Sequence, residues 1–181
     1  GEFADITTEE GFKKAAEKLE ERIKSTDDLA ELSFIVRKSY YLTFLKYIKP
    51  YLSIEDFSKS LSTFWTEEEA PNNDANVPVS LAAKWFKEAD KKALMNKEEY
   101  EVFTNLPEEL IVYRGVASGH NPNGMSWTKD LDKAEWFSNR FGDGYVIGGD
   151  VKKKDVLAYF SRREEEELVI EAKNVRNKKT I

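Results

Sequence analysis

The stretch LIVYRGV at residues 110–116 divides the sequence into two parts of different character. It is a short run of apolar and β-branched residues, which is typical of a β-strand. The residues before it follow a helical spacing of apolar positions, whereas those after it form further short strand-like runs. We therefore predict an α+β fold, with a helical lobe at residues 4–109 and a β-rich core at residues 110–181.

The helical prediction depends on apolar residues spaced three or four positions apart. The sequence APNNDANVP at residues 70–78 consists of turn formers and predicts a loop between two helices. The first predicted helix carries Phe12, Ala16, Leu19 and Ile23 on one face, and the second runs from a cap at Asp27 or Asp28 through Val36 and Tyr40 to Pro50. Two further helices are capped by Ser53 and by Ser80. A short helix at residues 97–103 ends before Pro107.

The second part reads as short strands around one helix. Asp130 is placed to cap a helix that carries Phe137 and Phe141 at helical spacing. The glycine pair inside YVIGGDV predicts a bulge in that strand. The strand candidates after the first are MSWT at 125–128, YVIGGDV at 145–151, DVLAYF at 155–160 and EELVIEA at 166–172.

Composition limits the class of protein. The 181 residues are 40% hydrophobic, enough for a sizeable core. The formal net charge of −6 argues against broad binding to a nucleic-acid backbone. The absence of cysteine excludes thiol catalysis, cysteine-ligated zinc and disulfides. With one histidine, His120, in a turn, no metal site is expected, and an exposed loop position is predicted for it.

The ends of the sequence and its hydropathy give two further expectations. The opening Gly-Glu-Phe at residues 1–3 is typical of a cloning scar, which leaves residues 4–181 as one predicted domain. No apolar run approaches the ~20 residues that span a bilayer, so no membrane partner is expected.

Three short motifs in the second part could carry chemistry. Arg114 lies among apolar strand residues, where its planar fork would suit a phosphate or carboxylate, or an internal salt bridge. Gly115 would let a ligand approach the backbone closely. Ser126 and Thr128 flank Trp127 and share one strand face, either as a functional surface or as an ordinary edge strand.

The third motif is RREEEELVI at residues 162–170. If a strand begins within it, Glu165 and Glu167 point to one face and Glu166 to the other. Glu167 then lies where the polar rim meets the apolar interior. The alternative interpretation is a solvated charge run that precedes a strand.

Together, the order of Arg114, Ser126-Trp127-Thr128 and the Glu-x-Glu pair resembles the mono-ADP-ribosyltransferases of the Arg-Ser-Glu class, which include bacterial toxins and phage-encoded enzymes. The resemblance covers residues 110–170. It implies an ADP-ribosyltransferase-like fold, in which two packed, mostly antiparallel sheets surround a NAD cleft. The apolar residues after Glu167 favour Glu165/Glu167 as the pair, with Glu164/Glu166 as the competing register. Trp127 and Thr128 depart from the family's Ser-Thr-Ser-type motif.

The resemblance also implies roles. Glu167 would bind the ribose and stabilise its developing positive charge, Ser126 would orient Glu167, and Glu165 would position or deprotonate the acceptor. NAD, the co-substrate, would be bound by Arg114, Gly115, Ser126 and Thr128 without a metal. Phe141 or Phe137 would stack on the nicotinamide ring, although their helical spacing also predicts core packing. Trp136 is expected on another, exposed face.

The sequence leaves several alternatives open for the acceptor, the activity and the localisation. The acceptor would be a macromolecule, more readily a protein arginine than a nucleic acid, and a toxin would have a neutralising partner. The same fold could send ADP-ribose to water as a NAD glycohydrolase, or act as a non-catalytic binding or inhibitor module. A two-carboxylate glycosidase is the remote alternative. Localisation is open between a cytoplasm and delivery into a target-cell cytoplasm.

Overall fold

The computed structural model of the chain describes residues 8–25, 36–68 and 70–181. The predicted scar at residues 1–3 and the predicted caps at Asp27 and Asp28 lie outside the described residues. The side chains of Phe12, Ala16, Leu19 and Ile23, which were predicted to form one helical face, lie outside them as well.

The described part of the first half is helical, as predicted. Ser53 caps the third helix by accepting a hydrogen bond from the Asp56 N–H, and Asn96 and Glu99 form a capping box on the sixth. The helices are α1 Glu9–Ser25, α2 Tyr41–Ile48, α3 Ile54–Glu67, α4 Val79–Glu88, α5 Lys91–Leu94 and α6 Lys97–Thr104.

Two details of the helical prediction are wrong. The predicted helix up to Pro50 is broken at Arg37, whose backbone is extended (φ −68°, ψ 143°), and α2 starts only after a 3₁₀ turn. Apolar residues continue at helical spacing across the break, so periodicity does not reveal it. Ser80 does not cap α4, because Pro78 occupies the N-cap position and the helix begins at Val79.

The second half forms two three-stranded antiparallel sheets, so the mixed α+β prediction is confirmed. One sheet has the order β1-β3-β6 and the other β2-β5-β4. The predicted bulge is present where β3 shifts register between Gly148 and Asp150. The strands are β1 Glu109–Val116, β2 Ser126–Trp127, β3 Tyr145–Lys152, β4 Val156–Phe160, β5 Glu167–Ile170 and β6 Arg176–Thr180, and α7 Leu131–Asn139 lies between β2 and β3.

The two sheets meet at the site-bearing motifs. Tyr113 of β1 and Thr128, just after β2, exchange backbone hydrogen bonds of 2.7 and 2.8 Å. This bridge brings the next residue of β1, Arg114, alongside the serine of β2. The bridge therefore sets the first two motifs of the sequence side by side.

One apolar core includes helices of the first half and strands of the second. Trp65 of α3 packs edge-to-face on Phe86 of α4, with ring centroids 5.1 Å apart, and Phe86 in turn lies 6.2 Å from Phe160 of β4. Leu168 in β5 is fully buried in the same cluster. The end of α3 is therefore held close to the start of β5. Across the described residues, no helix combines the length and apolar character needed to cross a membrane.

Candidate active site

A cleft lies where the end of α3, the 70–78 loop, β1, β2, α7 and the turn at residues 162–166, called here the glutamate turn, converge. Its empty volume is about 1100 Å³, including space open to solvent. Polar residues from both halves of the chain line it, among them Trp65, Asn72, Arg114, Ser126, Glu165 and Glu167.

Arg114 is buried, with 6% of its surface exposed, but no carboxylate of the described residues forms a salt bridge with it. Its Nη1 donates to the Ser126 carbonyl at 3.0 Å and its Nη2 to the Asn121 carbonyl at 2.6 Å. Its Nε has no hydrogen-bond partner within the described structure. Burial lowers the pKa of Arg114 to about 10, which Glu167 opposes, so the group stays cationic at neutral pH. A buried cation with an unpaired donor suits an anionic ligand.

Two glycines make room for this arrangement. A side chain at Gly124 would collide with Nη2 of Arg114, so the guanidinium would have to shift if any other residue stood there. A side chain at Gly115 would collide with the Ala134 carbonyl of α7. Gly115 lines the cleft, and its missing side chain also makes room for helix α7, a packing role that the sequence did not predict.

Ser126, Trp127 and Thr128 all line the cleft, although Trp127 is 2% exposed and also belongs to the core cluster. The Asn72 side-chain amide donates to Ser126 Oγ at 3.0 Å, and its carbonyl oxygen accepts from the Met125 N–H at 2.6 Å. The pair of hydroxyls is therefore on one face, as the alternation predicted.

Glu167 is the first residue of β5 and lies half-buried in the cleft. The Trp65 indole N–H donates to both of its carboxylate oxygens, at 3.1 and 3.2 Å. Burial raises the pKa of Glu167 to about 7, while hydrogen bonds from Ser126 and Trp65 act in the opposite direction. Glu165 adds to the rise and Arg114 opposes it. A carboxylate poised near neutral pH in a cleft is a common feature of active sites.

Glu165 precedes the strand rather than lying within it. The predicted strand at residues 166–172 is observed only as Glu167–Ile170, after a 3₁₀ turn at Arg162–Glu164. Arg163 and Glu164 both have φ of 59°, a left-handed conformation that is costly for non-glycine residues. Glu165 lines the cleft, and burial raises its pKa while Arg163, Arg140 and Lys133 act to lower it.

The strict alternation predicted for the glutamates is wrong, because it assumed that the strand begins before Glu167. Glu166 also lines the cleft, where it forms an ion pair with Lys133 at 3.5 Å. Glu164, the other member of the competing register, is exposed. The turn, and not a strand pleat, thus decides where the glutamates point.

The aromatic residues around α7 differ from the prediction. Phe141 lies beyond the end of α7 and is 62% exposed, so the core prediction for it is wrong, and it is not part of the cleft lining. Phe137 is half-buried and lines the cleft. Trp136 is 62% exposed, as expected for its helix face. Phe137 is therefore better placed than Phe141 to contact a ring in the cleft.

His120 is half-buried at the cleft rather than exposed in a loop. Its ring stacks on Phe141, with centroids 5.8 Å apart and an interplanar angle of 19°. The contact explains the difference, because Phe141 covers a ring that the turn sequence alone would leave in solvent. Within residues 8–25, 36–68 and 70–181, no cluster of histidine and carboxylate side chains is arranged to hold a metal ion.

Sequence reasoning missed three cleft residues of the helical half, Trp65, Asn72 and Glu68. Trp65 sits at the helical spacing of a core residue, and Asn72 belongs to a predicted loop. Glu68 is 4% exposed and lies beside the buried Asp74. The run of turn formers at residues 70–78 predicted the loop that contains Asn72, but it did not indicate that Asn72 would bond to Ser126.

The chain was compared with known families, proteins and structures. No family model matches it, and no curated protein or solved structure matches it at a significant level.

Proposed function

We propose that the chain is a NAD-dependent mono-ADP-ribosyltransferase. The observation that carries the proposal is the convergence of Arg114, Ser126 and Glu167, from three strands in two sheets, on one cleft. This is the grouping implied by the sequence resemblance to the Arg-Ser-Glu class. We also propose that the two antiparallel sheets, joined at Tyr113 and Thr128, form an ADP-ribosyltransferase-like fold around a NAD cleft.

In the proposed reaction, the bond between nicotinamide and C1′ of the ribose breaks, and its electron pair leaves with nicotinamide. The ribose develops the positive charge of an oxocarbenium ion. The Glu167 carboxylate lies in the cleft to bind a ribose hydroxyl and stabilise that charge, as preorganised groups do most effectively in a partly desolvated site.

The remaining cleft residues suit the other parts of NAD and the acceptor. Arg114 and Arg140 supply cationic guanidinium groups for the pyrophosphate. Phe137 offers a ring for the nicotinamide. An acceptor nucleophile attacks C1′ and loses its proton to Glu165, which lies in the cleft two residues before Glu167. We propose a protein arginine as the acceptor, because a guanidinium would find several carboxylates in the glutamate turn.

Two alternatives share this site. A NAD glycohydrolase would use water in place of the acceptor. A non-catalytic module would keep the scaffold without turnover. Arg114 is buried with an unpaired donor, and Glu167 has a raised pKa, and both features lower the stability of the fold. Destabilising features of this kind are common in active sites, so they support an enzyme over a non-catalytic module.

The decisive experiment measures nicotinamide release from NAD by the full chain, alone and with cell lysate. We expect release by the parent protein, and its loss in Glu167→Gln. Glu164→Gln is the matched control, because it makes the same chemical change at an exposed side chain of the same run. Radiolabelled ADP-ribose on a protease-sensitive lysate component would identify a protein transferase, and free ADP-ribose alone would identify a glycohydrolase. No release and no NAD binding would refute the enzyme and leave the binding module.

A further inference from the structure

Trp65 reaches the candidate catalytic carboxylate from the other half of the chain. It lies in the last turns of α3, and its indole Nε1 donates to Glu167 Oε1 at 3.1 Å and to Oε2 at 3.2 Å. The two residues are 102 positions apart. One N–H shared between both oxygens lies close to the middle of the carboxylate and fixes the direction in which that group points.

The ring that carries this N–H is fixed by packing. Trp65 is 1% exposed, and it meets Phe86 at 90° with centroids 5.1 Å apart. A buried indole N–H needs a hydrogen-bond partner, and here that partner is Glu167. Packing alone would be served by an aromatic ring without an N–H, so the donor has a purpose beyond filling the core.

Few other groups act on the Glu167 carboxylate. Arg114 and Glu165 affect it through their charges, with opposite effects. Ser126 is the other hydrogen-bonding group: its Oγ accepts from the Asn72 amide, which leaves its own hydrogen to donate to Glu167. The further charged residues that line the cleft around Glu167 are Glu68, Lys133, Arg140, Arg163 and Glu166. Of these two donors, Trp65 is the one that comes from the helical half of the chain and is held within the buried core.

We propose that Trp65 is a positioning residue, which aims the Glu167 carboxylate into the cleft and favours its ionised form through the shared indole N–H. The inference rests on the proposed function for its catalytic consequence, but the contact between the two side chains does not. The helical half of the chain would thus contribute to the chemistry directly, and not only as a support for the sheets.

The test is Trp65→Phe, which keeps an aromatic ring and removes the donor. A hydrogen bond to a charged acceptor corresponds to about one pKa unit or more. The rate of nicotinamide release should fall on the acidic side as Glu167 becomes protonated, and in Trp65→Phe this acidic limb of the pH–rate profile should lie about one pH unit higher. Much of the parent rate should return at pH 9. Trp85→Phe is the matched control, because Trp85 is a buried tryptophan of the same lobe outside the cleft. An unmoved limb in Trp65→Phe, or an equal movement in Trp85→Phe, would overturn the proposal.

A second measurement needs neither activity nor a folded Trp65 variant. The indole ¹⁵N–¹H signal of Trp65 in the parent protein should titrate with a midpoint near pH 7, the pKa of its partner. The same signal should lose this titration in Glu167→Gln. A Trp65 signal that does not respond to pH would overturn the proposal. A titrating signal in a protein that releases no nicotinamide would support the contact and refute only the proposed enzyme function.

Discussion

Asn72 in the 70–78 loop and Ser126 in β2 are joined by a 3.0 Å hydrogen bond from the asparagine amide to the serine hydroxyl. The asparagine carbonyl also accepts the Met125 N–H at 2.6 Å, so one side chain holds two successive residues at the start of β2. A loop of the helical lobe thereby fixes the orientation of a hydroxyl that belongs to the sheet.

Removing this side chain should impair catalysis more than folding. In Asn72→Ala, Ser126 loses its donor and the start of β2 loses an anchor, so Ser126 and Glu167 should drift from their productive geometry. We expect nicotinamide release to fall roughly 10- to 100-fold, the scale of a small misplacement in an active site. Asn105→Ala is the control, because the Asn105 side chain bonds only to a carbonyl of its own helix. Equal rates in the two variants would contradict the role given to Asn72.

The pH dependence of the proposed reaction should follow from the ionisation of Glu167. Its pKa is raised to about 7, and in the proposed mechanism the ionised form is the one that stabilises a positive ribose. The value of kcat/KM for nicotinamide release should therefore rise with pH, about tenfold per unit below pH 7, and level off above it. Steady-state rates at low NAD concentration between pH 5 and 9 measure this.

Glu165→Gln provides the internal comparison for that profile. The charge of Glu165 raises the pKa of Glu167, so its removal should move the acidic limb to lower pH while release persists. A profile that is flat from pH 5 to 9 in the parent protein would show that Glu167 is not the group whose ionisation controls the rate.

Stability should have its own pH dependence at Glu68 and Asp74. Burial first, and then a hydrogen bond to Asp74, raise the pKa of Glu68 to about 9. Burial acts to raise the pKa of Asp74 too, but hydrogen bonds from Glu68, Asn76 and Thr43 hold it below its usual value. At neutral pH, Glu68 therefore stays protonated beside an ionised Asp74.

Because Glu68 binds a proton in the folded state that it releases when unfolded, its contribution to stability is largest at pH 4 and declines as the pH rises toward 9. Glu68→Gln keeps a neutral donor and removes this dependence. We expect it to raise the free energy of unfolding by about 1–3 kcal/mol at pH 8 and by almost nothing at pH 4. Urea unfolding across this range measures the difference. Glu67→Gln is the control, and the same gain in that variant would contradict the pairing.

The sequence predicted an element correctly where neighbouring residues alone determine that element. LIVYRGV predicted β1 because alternate residues face the core, and Asp130 predicted the start of α7 because its carboxylate accepts from the Asp132 and Lys133 N–H groups. The three motifs could be predicted to share a site because the resemblance supplied their spatial order. Spacing alone would have left each of them with an ordinary structural explanation.

The remaining features of the site depend on contacts between residues far apart in the sequence, which no short sequence pattern reveals. Trp65 and Glu167 are 102 positions apart, and Asn72 and Ser126 are 54 apart, so neither pair appears in any short window. The strand β6 was missed because it is a fully exposed edge strand of polar residues, which lacks the alternation of a half-buried strand. Glu166 was predicted to lie in the strand, which starts one residue later, and the turn before it was not predicted, because left-handed conformations at Arg163 and Glu164 are rare for those residue types.

That turn is held by Lys133 of α7, and the contact suggests how acceptor use could be separated from NAD cleavage. Lys133 Nζ donates to the Glu164 carbonyl at 3.0 Å and pairs with Glu166 at 3.5 Å. These contacts offset the cost of two left-handed residues, which is about 1–3 kcal/mol each. In Lys133→Met the turn should relax and carry Glu165 with it, whereas Glu167 stays anchored in β5.

We therefore expect Lys133→Met to lower the ratio of transferred to hydrolysed ADP-ribose about tenfold, the scale of one misplaced acid-base group, while nicotinamide release changes less. The ratio is measured from label on protein and free ADP-ribose in one reaction. Lys129→Met makes the same change at an exposed lysine just before α7 and should leave the ratio unaltered. If Lys133→Met reduced release and transfer in the same proportion, the turn would be serving the NAD end of the cleft, and Glu165 would lose its assignment to the acceptor.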